Sequence, residues 1–94
     1  MTDTDVWHEI EKAKRKFKAA ETRAERKFSL AAQRAFKFYG STDVEQASRQ
    51  NALQRARAVS DAEISKARIA LIDALENLRA RAGEWADLVP IVRL

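Results

Sequence analysis

Few residues in this chain could carry out covalent chemistry. His8 is the only histidine and there is no cysteine, so the chain lacks a histidine pair for a metal, a complete catalytic triad and a thiol nucleophile. The sequence also contains neither a glycine-rich phosphate loop nor a nucleophile elbow. Its carboxylates alternate with Lys and Arg at helical spacing, where ion pairing within a helix explains them. We therefore expect a protein that is not an enzyme and that binds no metal or cofactor.

The lysines and arginines of the first half are the residues that could bind a ligand, through their positive charge. The net charge is +4, and the whole excess lies ahead of Gly40. On a helix with about 100° per residue, many of these cations share a sector of roughly 120° beside an apolar stripe. We call this set the basic sector, and its members are Lys12, Arg15, Lys16, Arg23, Arg26, Lys27, Arg34 and Lys37. It extends over about 37 Å at helical rise, which is longer than one turn of duplex DNA.

The basic sector has three interpretations. It can be a solvated face that keeps a helical bundle soluble and orients its pairing. It can contact the phosphate backbone of nucleic acid in a sequence-independent, salt-sensitive manner. It can also dock on an acidic protein surface. A membrane surface suits it less, because the cations lie on one flank of a narrow apolar stripe. Stacking of single-stranded bases is not supported, since no aromatic residue lies among these cations.

An eleven-residue repeat between residues 11 and 40 is the element that positions the basic sector. The copies at 11–17, 22–28 and 33–39 each carry basic residues, an alanine and an aromatic residue in the seventh place. Eleven residues complete three helical turns at about 3.67 residues per turn, so every copy faces the same way. The repeat predicts one unbroken helix over about 3–39.

The middle of the chain predicts a tight turn. We expect Gly40 to end the first helix in the left-handed conformation. Ser41 or Thr42 can cap the second helix, and Thr42 has the spacing of a capping box with Glu45. A turn over 40–42 is short enough to fold the helices back as an antiparallel hairpin. The second helix is predicted over about 43–87.

The composition also favours long helices in one small domain. Of the 94 residues, 46% are hydrophobic and 34% are charged, a mixture that suits helices better than sheets. No apolar run approaches the roughly 18–20 residues that cross a bilayer, and the acidic, polar start over 1–5 is unlike a signal peptide. We expect one all-α domain over 1–94, with an apolar tail over 88–94, in a soluble cytoplasmic protein.

Apolar residues outside the main stripe predict a second interface. A hairpin has one internal seam, yet Val59, Ile69 and Ile72 fall on another side of the second helix. The simplest solution is a homodimer whose two hairpins form a four-helix bundle, although a larger oligomer or a complex with another helical protein also fits. The predicted oligomer or partner interface comprises Val59, Ile69, Ile72, Trp85, Leu88 and Ile91.

The apolar tail over 88–94 has two interpretations. It can fold back over the open end of the hairpin, together with Trp85 and Trp7, which an antiparallel pairing brings to the same end. It can instead serve as a short docking peptide for a partner protein.

Phe38-Tyr39-Gly40 resembles the Trp-x-Gly turn of small helical-hairpin proteins that specialised bacterial systems secrete, with Phe in place of Trp. The resemblance implies a hairpin that binds a partner protein. The chain departs from that family in its basic first helix and in the absence of a tyrosine-acid export signal after the second helix. Small all-helical proteins of phages and mobile elements, including inhibitors of host defence, are similar in outline.

These patterns together predict a non-catalytic, oligomeric helical hairpin whose basic sector contacts a polyanion. Nucleic-acid backbone, bound without sequence specificity, is the favoured partner. The alternative is a protein–protein adaptor or inhibitor that binds an acidic partner through the basic sector, or another partner through the second apolar patch or the tail.

Overall fold

The computed structural model describes residues 1–40 and 42–92. They form two α-helices, α1 (Asp3–Phe38) and α2 (Asp43–Ala82), followed by a 3₁₀ helix over Gly83–Leu88. The two α-helices pair side by side as a rod of 63 × 18 × 12 Å. The predicted all-α hairpin is therefore confirmed. None of the helices described is long and apolar enough to cross a membrane.

Thr2 starts α1 with a reciprocal pair of hydrogen bonds. The Thr2 hydroxyl accepts the N–H of Asp5 at 3.2 Å, and the N–H of Thr2 donates to the Asp5 carboxylate at 3.1 Å. This capping box satisfies two backbone donors that the first helical turn leaves free. The bond from the Thr2 N–H, followed by the bond with the Thr2 side chain, lowers the pKa of Asp5.

The end of α1 differs from the prediction at Gly40. The helix stops at Phe38, and Tyr39 is the cap, with an extended backbone and its N–H bonded to the Ala35 carbonyl at 3.1 Å. Because extension at Tyr39 already ends the helix, no left-handed residue is needed, and Gly40 does not have a positive φ. The expectation of a left-handed Gly40 was therefore wrong.

Glu45 joins the end of α1 to the start of α2. The Gly40 N–H donates to its carboxylate at 2.6 Å and the Thr42 hydroxyl donates at 2.8 Å, while Thr42 accepts the N–H of Glu45 at 3.2 Å. A Cβ at Gly40 would collide with this carboxylate, so glycine at this position allows the Glu45 carboxylate to approach the backbone closely. The Thr42 and Gly40 bonds, in that order, lower the pKa of Glu45. Ser41, the other predicted cap, lies outside the described residues.

The α-helical part of the second helix ends at Ala82, earlier than the predicted 87. Gly83 adopts φ 60° and ψ −118°, a conformation that glycine reaches without the steric penalty of a side chain. The chain then continues as the 3₁₀ helix, and Val89 after it packs against the hairpin.

The main core lies at the open end of the hairpin. We call it the open-end core, and its buried members are Val6, Ile10, Leu75, Leu78, Ala82 and Val89. Trp85, Leu88 and Val92 are partly buried and pack against this core. Arg79 donates a hydrogen bond to the Val89 carbonyl at 2.8 Å. The described part of the tail thus folds back, as one interpretation proposed, whereas residues 93–94 lie outside the described part. Trp7 does not join the core and is 51% exposed.

The middle and the turn half of the seam are built from smaller contacts. The Ser60 hydroxyl donates to the Ala24 carbonyl at 3.3 Å, and both residues are buried. The guanidinium of Arg57 lies 3.9 Å from the centre of the Phe28 ring. Arg49 covers Phe36 at 4.8 Å in the same way. Such cation–π contacts are worth about 0.5–1 kcal/mol at exposed sites, so this half is held by weaker interactions than the open-end core.

Candidate functional site

All members of the basic sector are exposed on α1. The helix runs from Asp3 to Phe38 without a break, so the cations keep the helical register that the sequence predicts. The sector is centred about 120° around the helix from the apolar stripe that faces α2. A large ligand can therefore approach it without displacing the second helix.

The cations of the basic sector repeat every eleven residues. Lys12, Arg23 and Arg34 form one series, and Arg15, Arg26 and Lys37 form a second. Lys16 and Lys27 begin a third series, which Phe38 completes as an apolar residue. We refer to the resulting groups as the first, second and third cation clusters. Their members are Lys12, Arg15 and Lys16 in the first, Arg23, Arg26 and Lys27 in the second, and Arg34 and Lys37 in the third.

Little of this positive charge is neutralised within the hairpin. Lys27 pairs with Glu63 of α2 at 3.2 Å, and Arg15 donates to the Glu11 carbonyl at 3.4 Å. Over residues 1–40 and 42–92, the pair between Lys27 and Glu63 is the only ion pair of the basic sector. An exposed pair of this kind contributes about 0–1 kcal/mol. An anionic ligand can therefore compete with Glu63 for Lys27.

Two cations of α2 lie beside the basic sector. Arg81 lines a shallow cleft with Lys12 and Lys16, and Lys66 lines another with Arg23 and Lys27. The sequence pattern does not indicate them, because the second half of the chain is electrically neutral as a whole. The antiparallel register would have found them, since it brings particular α2 positions next to each α1 cluster.

The clefts join as a shallow groove along the seam with small residues at its floor. These are Ala13, Ala20, Ala67, Ala70 and Ala74. Alanine side chains let the two backbones approach closely, whereas the long Lys and Arg side chains on either side extend beyond them. Two carboxylates, Glu9 and Glu63, also line this groove. The result is a mainly cationic surface that continues from α1 onto α2.

The predicted partner interface divides into exposed and packed residues. Val59, Ile69 and Ile91 are 58%, 49% and 68% exposed. Ile72 is half-buried. Trp85 and Leu88 pack against the open-end core of their own chain, so only their outer surfaces are free. Contact of all six residues with a partner stays a prediction.

His8 and the carboxylates do not form a metal centre in the described residues. No group of three or more His, Asp or Glu side chains there could hold a metal ion. His8 is exposed and lies in a shallow cleft beside Lys12 and Arg15. Glu9 and Lys16 line the same cleft, so His8 lies among charges of both signs.

Comparison with known proteins adds no further assignment. No protein family, curated protein or solved structure matches the chain.

Proposed function

We propose that this chain is a non-catalytic, oligomeric hairpin that binds nucleic-acid backbone through the basic sector of α1, without sequence specificity. The observation that carries the proposal is the unbroken helix on which every one of these cations is exposed. Lys and Arg that bind phosphates release condensed counterions, which gives affinity that depends little on sequence. A cytoplasmic location belongs to the same proposal.

The neighbouring cations of α2 support a backbone-binding surface. Lys66 and Arg81 widen the positive strip beside the second and first clusters. A broad positive strip attracts a polyanion from a distance and orients it along the rod. Arginines of α2 cover the Phe28 and Phe36 rings. Phe38 is exposed at the third cluster, but a single aromatic side chain at one end of the strip cannot stack successive bases along it. Binding of phosphates is therefore the chemistry that this surface provides.

The proposal is tested by fluorescence anisotropy with a labelled 24-bp duplex of arbitrary sequence. Affinity should fall steeply between 50 and 200 mM salt, by roughly threefold for each phosphate that the protein neutralises. Arg23→Gln combined with Arg26→Gln should weaken binding at 0.1 M salt by roughly eightfold for each phosphate that is no longer neutralised. Lys27 is left unchanged because its pairing with Glu63 would complicate the interpretation.

A matched control lies on the other flank of α1. Lys14→Gln combined with Lys18→Gln removes the same charge outside the basic sector. Lys18 pairs with Glu21 at 3.2 Å, so the helicity of this variant also has to be compared with that of the wild type. This variant should retain most of the affinity, and circular dichroism should show unchanged helicity in both variants. Wild-type protein that fails to bind at 50 mM salt, or an equal decrease of affinity in both variants, would overturn the proposal.

Assembly through the outer surface of α2 forms part of the proposal. Val59 and Ile69 are large, apolar and exposed there, and a second copy would remove them from water. Burial of an exposed isoleucine contributes about 1.5–3 kcal/mol, so Ile69→Asp should shift the mass measured by light scattering from dimer to monomer. A wild-type protein that is already monomeric would contradict this part.

The second candidate function is an adaptor or inhibitor that binds a partner protein. Exposure of Trp7 and Ile91 favours it, because large apolar side chains at the open end could anchor a partner. This alternative predicts that affinity for the partner falls in Trp7→Ala and is unchanged in Arg23→Gln with Arg26→Gln. Failure of the wild type to recover any protein from nuclease-treated lysate would contradict the alternative, and equal recovery by Trp7→Ala would exclude Trp7 as the anchor.

A further inference from the structure

The spacing of the cation clusters matches a dimension of the DNA double helix. Lys12 and Arg34 are twenty-two residues apart, as are Arg15 and Lys37. At 1.5 Å per residue, the first and third clusters are separated by about 33 Å. One turn of duplex DNA measures about 34–36 Å. The second cluster lies halfway between them.

The clusters also keep nearly the same direction along the rod. Eleven residues at about 100° each exceed three full turns by only about 20°, so the third cluster is rotated from the first by about 40°. α1 has no break between them. A straight line of cation clusters can therefore lie along a straight ligand.

Cations without an ion pair are present in every cluster. Lys27 of the second cluster is paired with Glu63. Arg34 and Lys37 of the third cluster make no ion pair within residues 1–40 and 42–92. Arg23 and Arg26 of the second cluster also make no ion pair there, so each cluster has at least two cations that can bind phosphates.

We propose that the basic sector binds duplex DNA lying along α1, with the first and third clusters on phosphates of the same strand one turn apart. The second cluster then faces the complementary strand, which crosses the same line between these two points. This inference rests on the proposed polyanion-binding function and assigns its partner. A flexible single strand would gain nothing from the fixed spacing, because its phosphates have no fixed period.

The test compares GC-rich duplexes of 8 and 16 bp. At about 3.4 Å per base pair, the shorter duplex extends over roughly 27 Å, which is less than one helical turn, so it cannot offer two phosphates of the same strand one turn apart, whereas the longer one can. Arg34→Gln combined with Lys37→Gln removes the third cluster. Its affinity relative to wild type should fall about tenfold or more on 16 bp and change by less than about twofold on 8 bp.

The charge-matched control and a single strand make the outcomes distinguishable. For Lys14→Gln combined with Lys18→Gln, the affinity relative to wild type should be the same on 8 bp as on 16 bp. An equal decrease of affinity on both lengths for the third-cluster variant would overturn the one-turn register while leaving polyanion binding intact. A single strand with as many phosphates as the 16-bp duplex, bound as tightly, would overturn the choice of duplex. Absence of binding to every nucleic acid at 50 mM salt would overturn the proposed function itself.

Discussion

The two ends of the hairpin are stabilised in different ways. At the open end, aliphatic side chains from α1, α2 and the returning tail pack together, and Val6, Ile10 and Leu78 are fully buried. At the turn end, Phe36, Phe38 and Val44 are exposed, and hydrogen bonds to Glu45 join the helices. The difference shows that the two paired helices alone bury mainly small residues, namely Ala24, Ala35 and Ser60, whereas the largest buried side chains lie where a third segment joins them.

The largest expected effect tests this difference directly. Leu78→Ala should lower the free energy of unfolding by about 2–5 kcal/mol, because the leucine is 1% exposed within the open-end core. Leu53→Ala, at a half-buried position in the turn half, should lower it by only about 1 kcal/mol. Chemical denaturation measured at two protein concentrations separates these effects from any change in assembly. Equal destabilisation in the two variants would contradict the comparison.

A smaller effect is expected at the residue that lets the tail return. Gly83→Ala should lower the free energy of unfolding by about 1–2 kcal/mol, because alanine is strained at φ 60° although there is space for its Cβ. The variant should also increase hydrogen exchange at the Val89 amide, which bonds to the Ala86 carbonyl. Gly40→Ala provides the comparison at the turn end, where only the flexible Glu45 carboxylate must move. A stability loss at position 40 that exceeds the loss at position 83 would argue against this account.

The smallest effect concerns acid pH at the turn. The pKa of Glu45 is lowered in the folded chain, so its carboxylate stabilises the turn above the ordinary glutamate pKa. This contribution is lost as the pH falls through the lowered value. Hydrogen exchange at the Gly40 amide, corrected for its intrinsic pH dependence, should therefore show less protection in acid. Glu45→Gln should remove this pH-dependent step, and an identical step in the variant would show that another group is responsible.

The sequence predicted α1 and its cations well because one repeat specifies both. An eleven-residue period sets the direction of every side chain on a straight helix, so the exposure of Lys12 and Lys37 followed from local geometry alone. The turn was also predictable in position, because Thr42 and Glu45 have the spacing of a helix start. The direction of a side chain on a helix and the capping of a helix both depend on residues close in sequence, so both can be predicted from the sequence.

Other features depend on interactions between distant residues and were missed. Glycine is the residue type that favours a left-handed cap, but the extended Tyr39 and the Glu45 carboxylate determine the conformation of Gly40. Lys66 and Arg81 join the candidate surface only through the register of the two helices. Trp7 has the size and hydrophobicity of a core residue, yet it lies on the outer side of α1.

The return of the tail to the open end has a mechanical consequence. Val6 and Val89 lie in the same cluster, so the start of α1 and the described part of the tail are both anchored in the open-end core. A force that pulls the ends apart, as in an optical trap, meets this core first. Once it ruptures, the remaining seam of alanines and arginine-covered rings should open progressively at lower tension. Extension traces should therefore show one high peak at the beginning, followed by a gradual unzipping toward the turn.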